Sequence, residues 1–152
     1  MSNLSALLAC AGNWRGSNKV MDPTEQINDS SDAQAQIESV FNGKFVAINY
    51  TWAYRGQRAD GLMLVGFNPH TGVATINWVD SWHMQPDMMH STGTIDAAGA
   101  VTVQGAYAAP PGPDWGWRTI LTPGADSFRI DMVNITPDGQ EAPAVEMIFE
   151  RA

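Results

Sequence analysis

The stretch GNWRGSNKVM, residues 12–21, decides how the rest of the chain is interpreted. Its tryptophan, Trp14, opens the first segment with strand character, and Arg151 closes the last one. Between these two residues, apolar side chains recur mostly at every second position and are bounded by glycine, proline and aspartate, a pattern typical of half-buried antiparallel strands. A guanidinium over an indole face contributes roughly 0.5 to 2 kcal/mol. The two ends therefore predict a β-barrel whose first and last strands meet.

Ten segments share this alternating pattern. They lie near residues 13–21, 31–41, 44–55, 60–68, 73–80, 88–96, 100–108, 115–122, 126–136 and 143–151. Most connections between them are short and rich in turn-forming residues, so consecutive segments are expected to form hairpins. Because an open sheet of this width would leave long unpaired edges, closure into a barrel is the favourable arrangement.

We predict an all-β fold: one antiparallel up-and-down β-barrel of about ten strands, with a single domain over residues 1–152. The leucine-rich residues 5–11 add a short N-terminal capping helix that ends at Gly12. Apolar residues of the last segment, among them Val145 and Phe149, alternate with glutamates and should point inward. A ten-strand barrel is wider than the eight-strand size that side chains just fill, which predicts an internal cavity. A mostly apolar cavity is the usual form of a small-molecule site.

The composition excludes several classes of partner. The chain carries 16 acidic and 8 basic side chains, a net charge of -8, which repels phosphate backbones and argues against nucleic acid as a partner. No apolar run approaches the roughly 20 residues that cross a bilayer, and the first segment lacks the basic and long apolar regions of a signal peptide. We therefore expect a cytoplasmic protein with no membrane partner. The one cysteine, Cys10, cannot form an intramolecular disulfide.

One aromatic face has two interpretations. Tyr50, Trp52 and Tyr54 share one side of the predicted strand 44–55. This face is too aromatic for free exposure to solvent. It either lines the lumen or covers the barrel from outside at a homodimer contact.

Several motifs follow one another in the order and spacing of a known family. They are Gly12-Asn13-Trp14, Gly66-Phe67-Asn68-Pro69-His70-Thr71-Gly72, Trp78-Val79-Asp80-Ser81, Ser91-Thr92-Gly93-Thr94-Ile95-Asp96, Arg118, Pro137-Asp138-Gly139 and Glu146 to Arg151. The first motif resembles the calycin superfamily of lipocalins, fatty-acid-binding proteins and streptavidin, and the whole set resembles a bacterial lipocalin-like family that is itself a domain of unknown function. The resemblance implies a calycin-like barrel that Gly12, Trp14 and Arg151 close. It implies no activity, since the family has none assigned and a fold does not specify function.

The candidate ligand-binding residues are polar, aromatic and flexible side chains near the expected cavity. They are Trp78, Asp80, Trp82, His83, His90, Tyr107, Arg118 and Met132. Segments 81–87 and 108–117 carry bulky apolar residues and are candidate flaps over the barrel mouth. An inward Arg118 would bind a ligand carboxylate, or else need Asp80 or Glu146 as a buried partner. Strand parity leaves this open, because Trp117 and Arg118 must face opposite ways.

Three functions are compatible with these residues. The first is a carrier or sensor that binds a small hydrophobic or amphipathic molecule, with no cofactor and no metal. The second is an enzyme in which Asp80, His83 or Arg118 performs acid-base chemistry, or a haem-binding barrel in which His83 or His90 meets the iron. The third is a barrel plugged by its own side chains. The sequence leans against an enzyme, because no nucleophile-elbow pattern surrounds Ser81.

Overall fold

The structure, a computed structural model, describes residues 4–152, which form a short helix followed by ten strands. The elements are α1 (Ser5–Leu8), β1 (Gly12–Asp22), β2 (Ile27–Val40), β3 (Phe45–Tyr54), β4 (Gln57–Asn68), β5 (Val73–Asp80), β6 (Met84–Ile95), β7 (Val101–Tyr107), β8 (Trp115–Pro123), β9 (Ser127–Ile135) and β10 (Glu141–Arg151). Each strand pairs antiparallel with the next, and β1 also pairs with β10, so the sheet closes into a barrel. The predicted all-β fold, an antiparallel barrel of ten strands with a short N-terminal helix, is confirmed.

Strands β2 and β6 show the largest differences from the sequence pattern, since each begins four residues earlier than it predicts. Strand β2 begins at Ile27, because its ladder with β1 continues through a polar stretch as far as Asp22. Strand β6 begins at Met84, which pairs with Asp80 beyond a register shift in the β5–β6 pair. The predicted flap over residues 81–87 is therefore only the turn 81–83, whereas residues 108–114 do form a connection outside the strands.

The two ends of the chain meet at the β1–β10 pair. Trp14 lies opposite Arg151 in the register, and the guanidinium carbon of Arg151 is 4.5 Å from the centroid of the indole ring. The guanidinium also donates hydrogen bonds to the carbonyl oxygens of Ala9 and Ala11. The indole N–H of Trp14 donates to the carbonyl oxygen of Cys10 at 2.8 Å. This is the contact between the termini that the sequence predicts, and it also holds the segment that follows α1.

The interior is packed solid at the end covered by α1. There the Phe128 ring lies 6.1 Å from the rings of Trp14 and Phe149, and Leu4 and Leu7 of the N-terminal segment are buried beside them. The β1–β2, β3–β4, β5–β6, β7–β8 and β9–β10 connections lie at the opposite end. We call the first the closed end and the second the open end.

The aromatic face of β3 turns into the barrel. Tyr50 and Trp52 are each 3% exposed, and both belong to the hydrophobic core. Of the two interpretations drawn from the sequence, the structure therefore favours a face that lines the lumen. Within residues 4–152, no helix is long and apolar enough to cross a membrane.

Candidate functional site

A buried carboxylate organises the open end. Asp80 is the last residue of β5 and is 2% exposed. Its Oδ2 accepts hydrogen bonds from the Tyr50 hydroxyl at 2.6 Å and from the Trp52 indole N–H at 3.2 Å. Its Oδ1 accepts the backbone N–H groups of Trp82 at 2.8 Å and of His83 at 2.9 Å. These four donors offset the hydration that the carboxylate loses on burial.

Tyr50 connects this carboxylate to the wall of the barrel. Its hydroxyl oxygen accepts the indole N–H of Trp78 at 2.8 Å while donating to Asp80. Burial, and then the charge of Asp80, raise the pKa of Tyr50 well above its ordinary value, so the hydroxyl keeps its proton and stays a donor. Gly61 lies opposite both residues, on β4. A Cβ there would be 2.0 Å from the Tyr50 Cζ atom, so the ring crosses the space over Gly61 to reach the carboxylate.

The hydrogen bonds from the turn 81–83 to Asp80 place the His83 ring among four indoles. Its centroid lies 5.4 Å from that of Trp52, 5.7 Å from Trp78, 4.7 Å from Trp82 and 5.5 Å from Trp117. Burial lowers the pKa of His83 to about 4, and the charge of Asp80 opposes the shift only in part. The imidazole is therefore neutral at pH 7, with one N–H donor and one acceptor nitrogen. Neither ring nitrogen bonds to a protein atom within residues 4–152.

This turn and the strand ends around it enclose a cavity of about 250 Å³, which we call the mouth cavity. Its walls include the indoles of Trp78, Trp82 and Trp117 and the thioethers of Met84 and Met89. An apolar cavity of roughly 150 Å³ in another protein holds benzene, and drug-sized ligands occupy roughly 300 to 1,000 Å³. The mouth cavity is therefore matched to a single substituted ring or a molecule of similar size.

Several polar groups also belong to residues that line the mouth cavity. Trp117 is 7% exposed, and its indole N–H has no hydrogen-bond partner within residues 4–152. The Tyr107 hydroxyl donates to Asn134 Oδ1 at 2.6 Å, and both residues line the cavity. Asp22 also lines the cavity, and its Oδ1 accepts hydrogen bonds from the backbone N–H and the hydroxyl of Thr24. A buried donor without an acceptor costs about 1 to 3 kcal/mol, so the Trp117 N–H is a destabilising feature of this end of the barrel.

A second depression, of about 610 Å³, crosses the outer face of β1–β4. Its walls include Gln34, Gln36 and Asn49, all of them exposed. A wide depression on an outer face encloses little of a small ligand, whereas small-molecule sites are concave and bury most of the ligand surface. The mouth cavity is the better candidate despite its smaller volume.

The family of the chain is shown by its sequence. A family model described as a protein of unknown function, DUF1579, matches residues 3–151. The chain belongs to this family. This agrees with the part of the resemblance that pointed to a family of unknown function, while the calycin superfamily stays a prediction.

Comparison with known proteins supports the fold and indicates no activity. No curated protein matches the chain. The crystal structure of Rv2717c from M. tuberculosis has a TM-score of 0.70 at 12% sequence identity, covering 100% of this chain and 98% of that one. At this level of identity the similarity shows a shared fold, and any function has to be argued from the site.

Five of the predicted ligand-binding residues lie together at the open end. Trp78, Trp82, His83 and Tyr107 line the mouth cavity. Asp80 lies behind them, where it holds the turn and the β3 aromatics. The structure thus brings these five predicted residues together at one end of the barrel.

Arg118 requires a correction. Trp117 takes the inner face of β8, so Arg118 lies on the outer face, where its guanidinium pairs with the carboxylate of Glu141. Neither Asp80 nor Glu146 is its partner, and Arg118 is not among the residues that line the mouth cavity. The predicted contact between Arg118 and a ligand carboxylate inside the barrel is therefore wrong.

Two further candidates also lie away from the mouth cavity. His90 is exposed, and its Nδ1 is 2.8 Å from the amide oxygen of Asn77 on the neighbouring strand. Met132 is 2% exposed within the hydrophobic core and is not part of the cavity wall. Alternation correctly directs Met132 inward but cannot say how far along the barrel it lies.

Trp117 and Asn134 line the mouth cavity but are not among the ligand-binding residues predicted from the sequence. A signal for Trp117 existed, because Trp115, Trp117 and Leu121 share one face of the strand and Arg118 lies on the other. Asn134 gave no comparable signal. Its role depends on the register that sets it opposite Trp117 across the β8–β9 pair.

Proposed function

We propose that this protein reversibly binds a small, mostly apolar molecule in the mouth cavity, as a carrier or sensor. The observation that carries the proposal is a cavity of about 250 Å³ whose wall includes the indoles of Trp78, Trp82 and Trp117 and the thioethers of Met84 and Met89. Indole and thioether surfaces provide affinity for apolar groups, and a small number of polar groups fixes orientation. The resemblance of the terminal motif to calycin barrels supports the same conclusion, and the cytoplasm is the compartment we propose on sequence grounds.

Two features of the cavity favour binding over catalysis. An efficient general base has a pKa near the working pH, whereas the pKa of His83 is lowered to about 4. Within residues 4–152, the cavity wall holds no serine, threonine, cysteine or lysine that could attack a substrate. An acid-base enzyme at this site is therefore the weaker hypothesis.

Haem binding is also less well supported by the geometry. His90 lies outside the barrel, and the His83 ring is packed among indoles. A cavity of about 250 Å³ is smaller than drug-sized pockets, so a macrocycle would require the open end to rearrange. An absorption spectrum of the purified protein checks this, since bound haem gives a Soret band.

The proposed function is tested by filling the mouth cavity. Ala144 lines it and is 5% exposed, so Ala144→Leu adds apolar volume without removing a polar group. Ala106→Leu is the matched control, because Ala106 is exposed on the neighbouring outer surface of β7. The probe is acetophenone, followed in ¹H–¹⁵N spectra through the indole N–H signals.

We expect saturable shifts of the Trp78, Trp82 and Trp117 indole signals in the wild type. Binding by Ala144→Leu should be weakened by about tenfold or more, and binding by Ala106→Leu should be unchanged. The absence of saturable binding by the wild type, or equal affinity in Ala144→Leu, would overturn the proposed function.

A further inference from the structure

We propose that the mouth cavity takes a small apolar amine in its protonated form, such as an arylalkylammonium ion, and that the Asp22 carboxylate binds the ammonium group. This inference rests on the proposed function, since it names the chemical class of ligand for that same site. Three properties of the cavity support it: the sign of the charge in its wall, the accessibility of that charge and the aromatic surfaces around it.

The cavity wall carries a negative charge and no positive one. Within residues 4–152, the ionisable side chains of the wall are those of Asp22, His83 and Tyr107. Burial lowers the pKa of His83 to about 4, so the imidazole is neutral at pH 7. Burial also raises the pKa of Tyr107, so the phenol keeps its proton. In this part of the chain, Asp22 therefore supplies the charge of the wall.

One oxygen of the Asp22 carboxylate is free and accessible. Its Oδ1 accepts hydrogen bonds from the N–H and hydroxyl of Thr24 and from the N–H of Glu25, whereas its Oδ2 has no partner within residues 4–152. Asp22 is only partly buried, and the buried unpaired side-chain atoms of the same residues are Asn18 Nδ2 and Trp117 Nε1. The Asp22 Oδ2 atom thus keeps accessible surface that a cation can reach.

The charge of Asp22 acts on the interior of the cavity. Burial raises the pKa of Tyr107, the hydrogen bond from its hydroxyl to Asn134 lowers it, and the charge of Asp22 raises it further. The charge of Asp80 acts in the same way on His83, where it opposes the effect of burial. The chain as a whole has a net charge of -8, which attracts cations over a longer range. An ammonium ion is therefore favoured, and a carboxylate is repelled.

Two arginines at the open end are directed away from the cavity. The guanidinium carbon of Arg55, in the β3–β4 connection, lies 5.2 Å from the centroid of the Tyr54 ring. Arg118 pairs with Glu141 on the outer face of the barrel. Neither arginine belongs to the cavity wall, so neither replaces a ligand cation beside Asp22.

The other groups of the wall are compatible with an apolar amine. The indoles of Trp78, Trp82 and Trp117 line the cavity, and the negative faces of such rings favour a cation over an anion. Neutral His83 has an acceptor nitrogen as well as an N–H, and the acceptor can receive an ammonium N–H. Trp82 is 38% exposed, so water can hydrate it and the ligand need not supply an acceptor.

Three probes that share a phenyl ring and differ in charge test this selectivity. Benzylamine is a cation at pH 7, benzyl alcohol is its uncharged counterpart and benzoate is an anion. We expect benzylamine to bind about five- to tenfold more tightly than benzyl alcohol, since it gains a charge-assisted hydrogen bond at a partly exposed carboxylate. Benzoate should bind most weakly. Calorimetric titration at pH 7 gives the dissociation constants, with acetophenone titrated alongside as the uncharged reference.

The Asp22→Asn variant tests whether this carboxylate is responsible. Asparagine keeps the size of the side chain and an oxygen that accepts hydrogen bonds from the Thr24 turn, while the charge is lost. The quantity to measure is the ratio of benzylamine to benzyl alcohol affinity within each protein, which cancels small changes in cavity shape. We expect the ratio to fall to about one in Asp22→Asn. It should be unchanged in Asp87→Asn, which loses the same charge at an exposed position of β6 outside the cavity wall.

The outcomes separate this inference from the proposed function. A wild-type ratio near one, a ratio retained in Asp22→Asn, an equal fall in Asp87→Asn or tightest binding of benzoate would overturn the amine class, while saturable binding of acetophenone would leave the proposed function intact. Failure of acetophenone and all three probes to bind the wild type would overturn both. Circular dichroism of the two variants confirms that each is folded when it is measured.

Discussion

The two ends of the barrel contain similar side chains and differ in how their polar groups are paired. At the closed end, Trp14 is packed against Phe128, and its N–H is donated to the Cys10 carbonyl at 2.8 Å. At the open end, Trp117 is packed against Trp78, and its N–H has no acceptor within residues 4–152. Both indoles are buried, so burial alone does not distinguish these two tryptophans. The distinguishing property is whether the protein itself satisfies the donor.

Substitution of Asp80 should have the largest effect on stability, because four donors at the open end hydrogen-bond to its carboxylate. Asp80→Ala leaves the Tyr50 hydroxyl, the Trp52 N–H and two backbone N–H groups without their acceptor. We expect the free energy of unfolding to fall by about 3 to 5 kcal/mol, measured by urea denaturation.

Asp60→Ala is the matched control for this loss of a carboxylate. Asp60 is exposed and pairs with Arg58 at the surface, so the variant should change stability by less than about 0.5 kcal/mol. Similar stability of the two variants would show that Asp80 does not organise the open end.

The two buried tryptophans can be compared directly by the same substitution. Trp14→Phe removes packing, the stacked guanidinium of Arg151 and a satisfied hydrogen bond, and should cost about 2 to 4 kcal/mol. Trp117→Phe removes a donor that has no acceptor, so its cost should be about 1 kcal/mol or less. Thermal and urea unfolding measure both. Equal costs would contradict the distinction between the two ends.

Gly61→Ala tests whether the open end depends on the Tyr50 ring crossing the space over Gly61 to reach Asp80. The added Cβ would be 2.0 Å from the Tyr50 Cζ atom, so the ring must move away from Asp80. We expect a loss of about 2 kcal/mol and a shift of the Trp78 indole signal in ¹H–¹⁵N spectra.

Gly66→Ala on the same strand is the control for this steric effect. Its Cβ would meet only the Phe45 ring, at 3.0 Å, and that side chain is 39% exposed and free to move. The stability loss should be smaller than in Gly61→Ala, with the Trp78 signal unchanged. A larger loss in Gly66→Ala would indicate that the space over Gly61 is not critical.

The fold could be predicted because its determinants are local. In β10, buried Val145, Met147 and Phe149 alternate with more exposed glutamates, and this period of two is visible in any short window of sequence. Hairpin order then fixes the neighbour of each strand, so the barrel follows. The start of β6 could not be predicted in the same way, because residues 84–87 are largely exposed and include Pro86, and the strand start depends on the pairing of Met84 with Asp80 rather than on burial.

The site could be predicted only in part because its contacts are not local. The Tyr50–Asp80 hydrogen bond joins residues 30 positions apart and depends on the register of β3, β4 and β5 around Gly61. Parity in β8 leaves two choices, and the structure selects the one that buries Trp117 and exposes Arg118 to Glu141. A guanidinium inside the barrel would need a buried anion, which the strand neighbours do not supply.

His83 makes the stability of the folded protein depend on pH. Burial lowers the pKa of His83 to about 4 in the folded protein, from an ordinary value of 6.5. Between these values the unfolded chain binds a proton that the folded protein does not, so stability rises with pH through this window. We expect His83 to account for a loss of about 1 to 2 kcal/mol as the pH falls from 6.5 to 4, which is less than the full shift implies because part of the ring faces the cavity. Below pH 4 the contribution levels off.

His83→Gln isolates this contribution, because glutamine hydrogen-bonds but does not titrate, while the carboxylates titrate in both proteins. Urea unfolding across pH 4 to 7 gives the difference in stability between the wild type and the variant. We expect the difference to shift in favour of the variant as the pH falls. A difference that does not change with pH would mean that the imidazole keeps its ordinary pKa. In that case the aromatic walls of the open end do not exclude water from His83 as the closed end excludes it from Trp14.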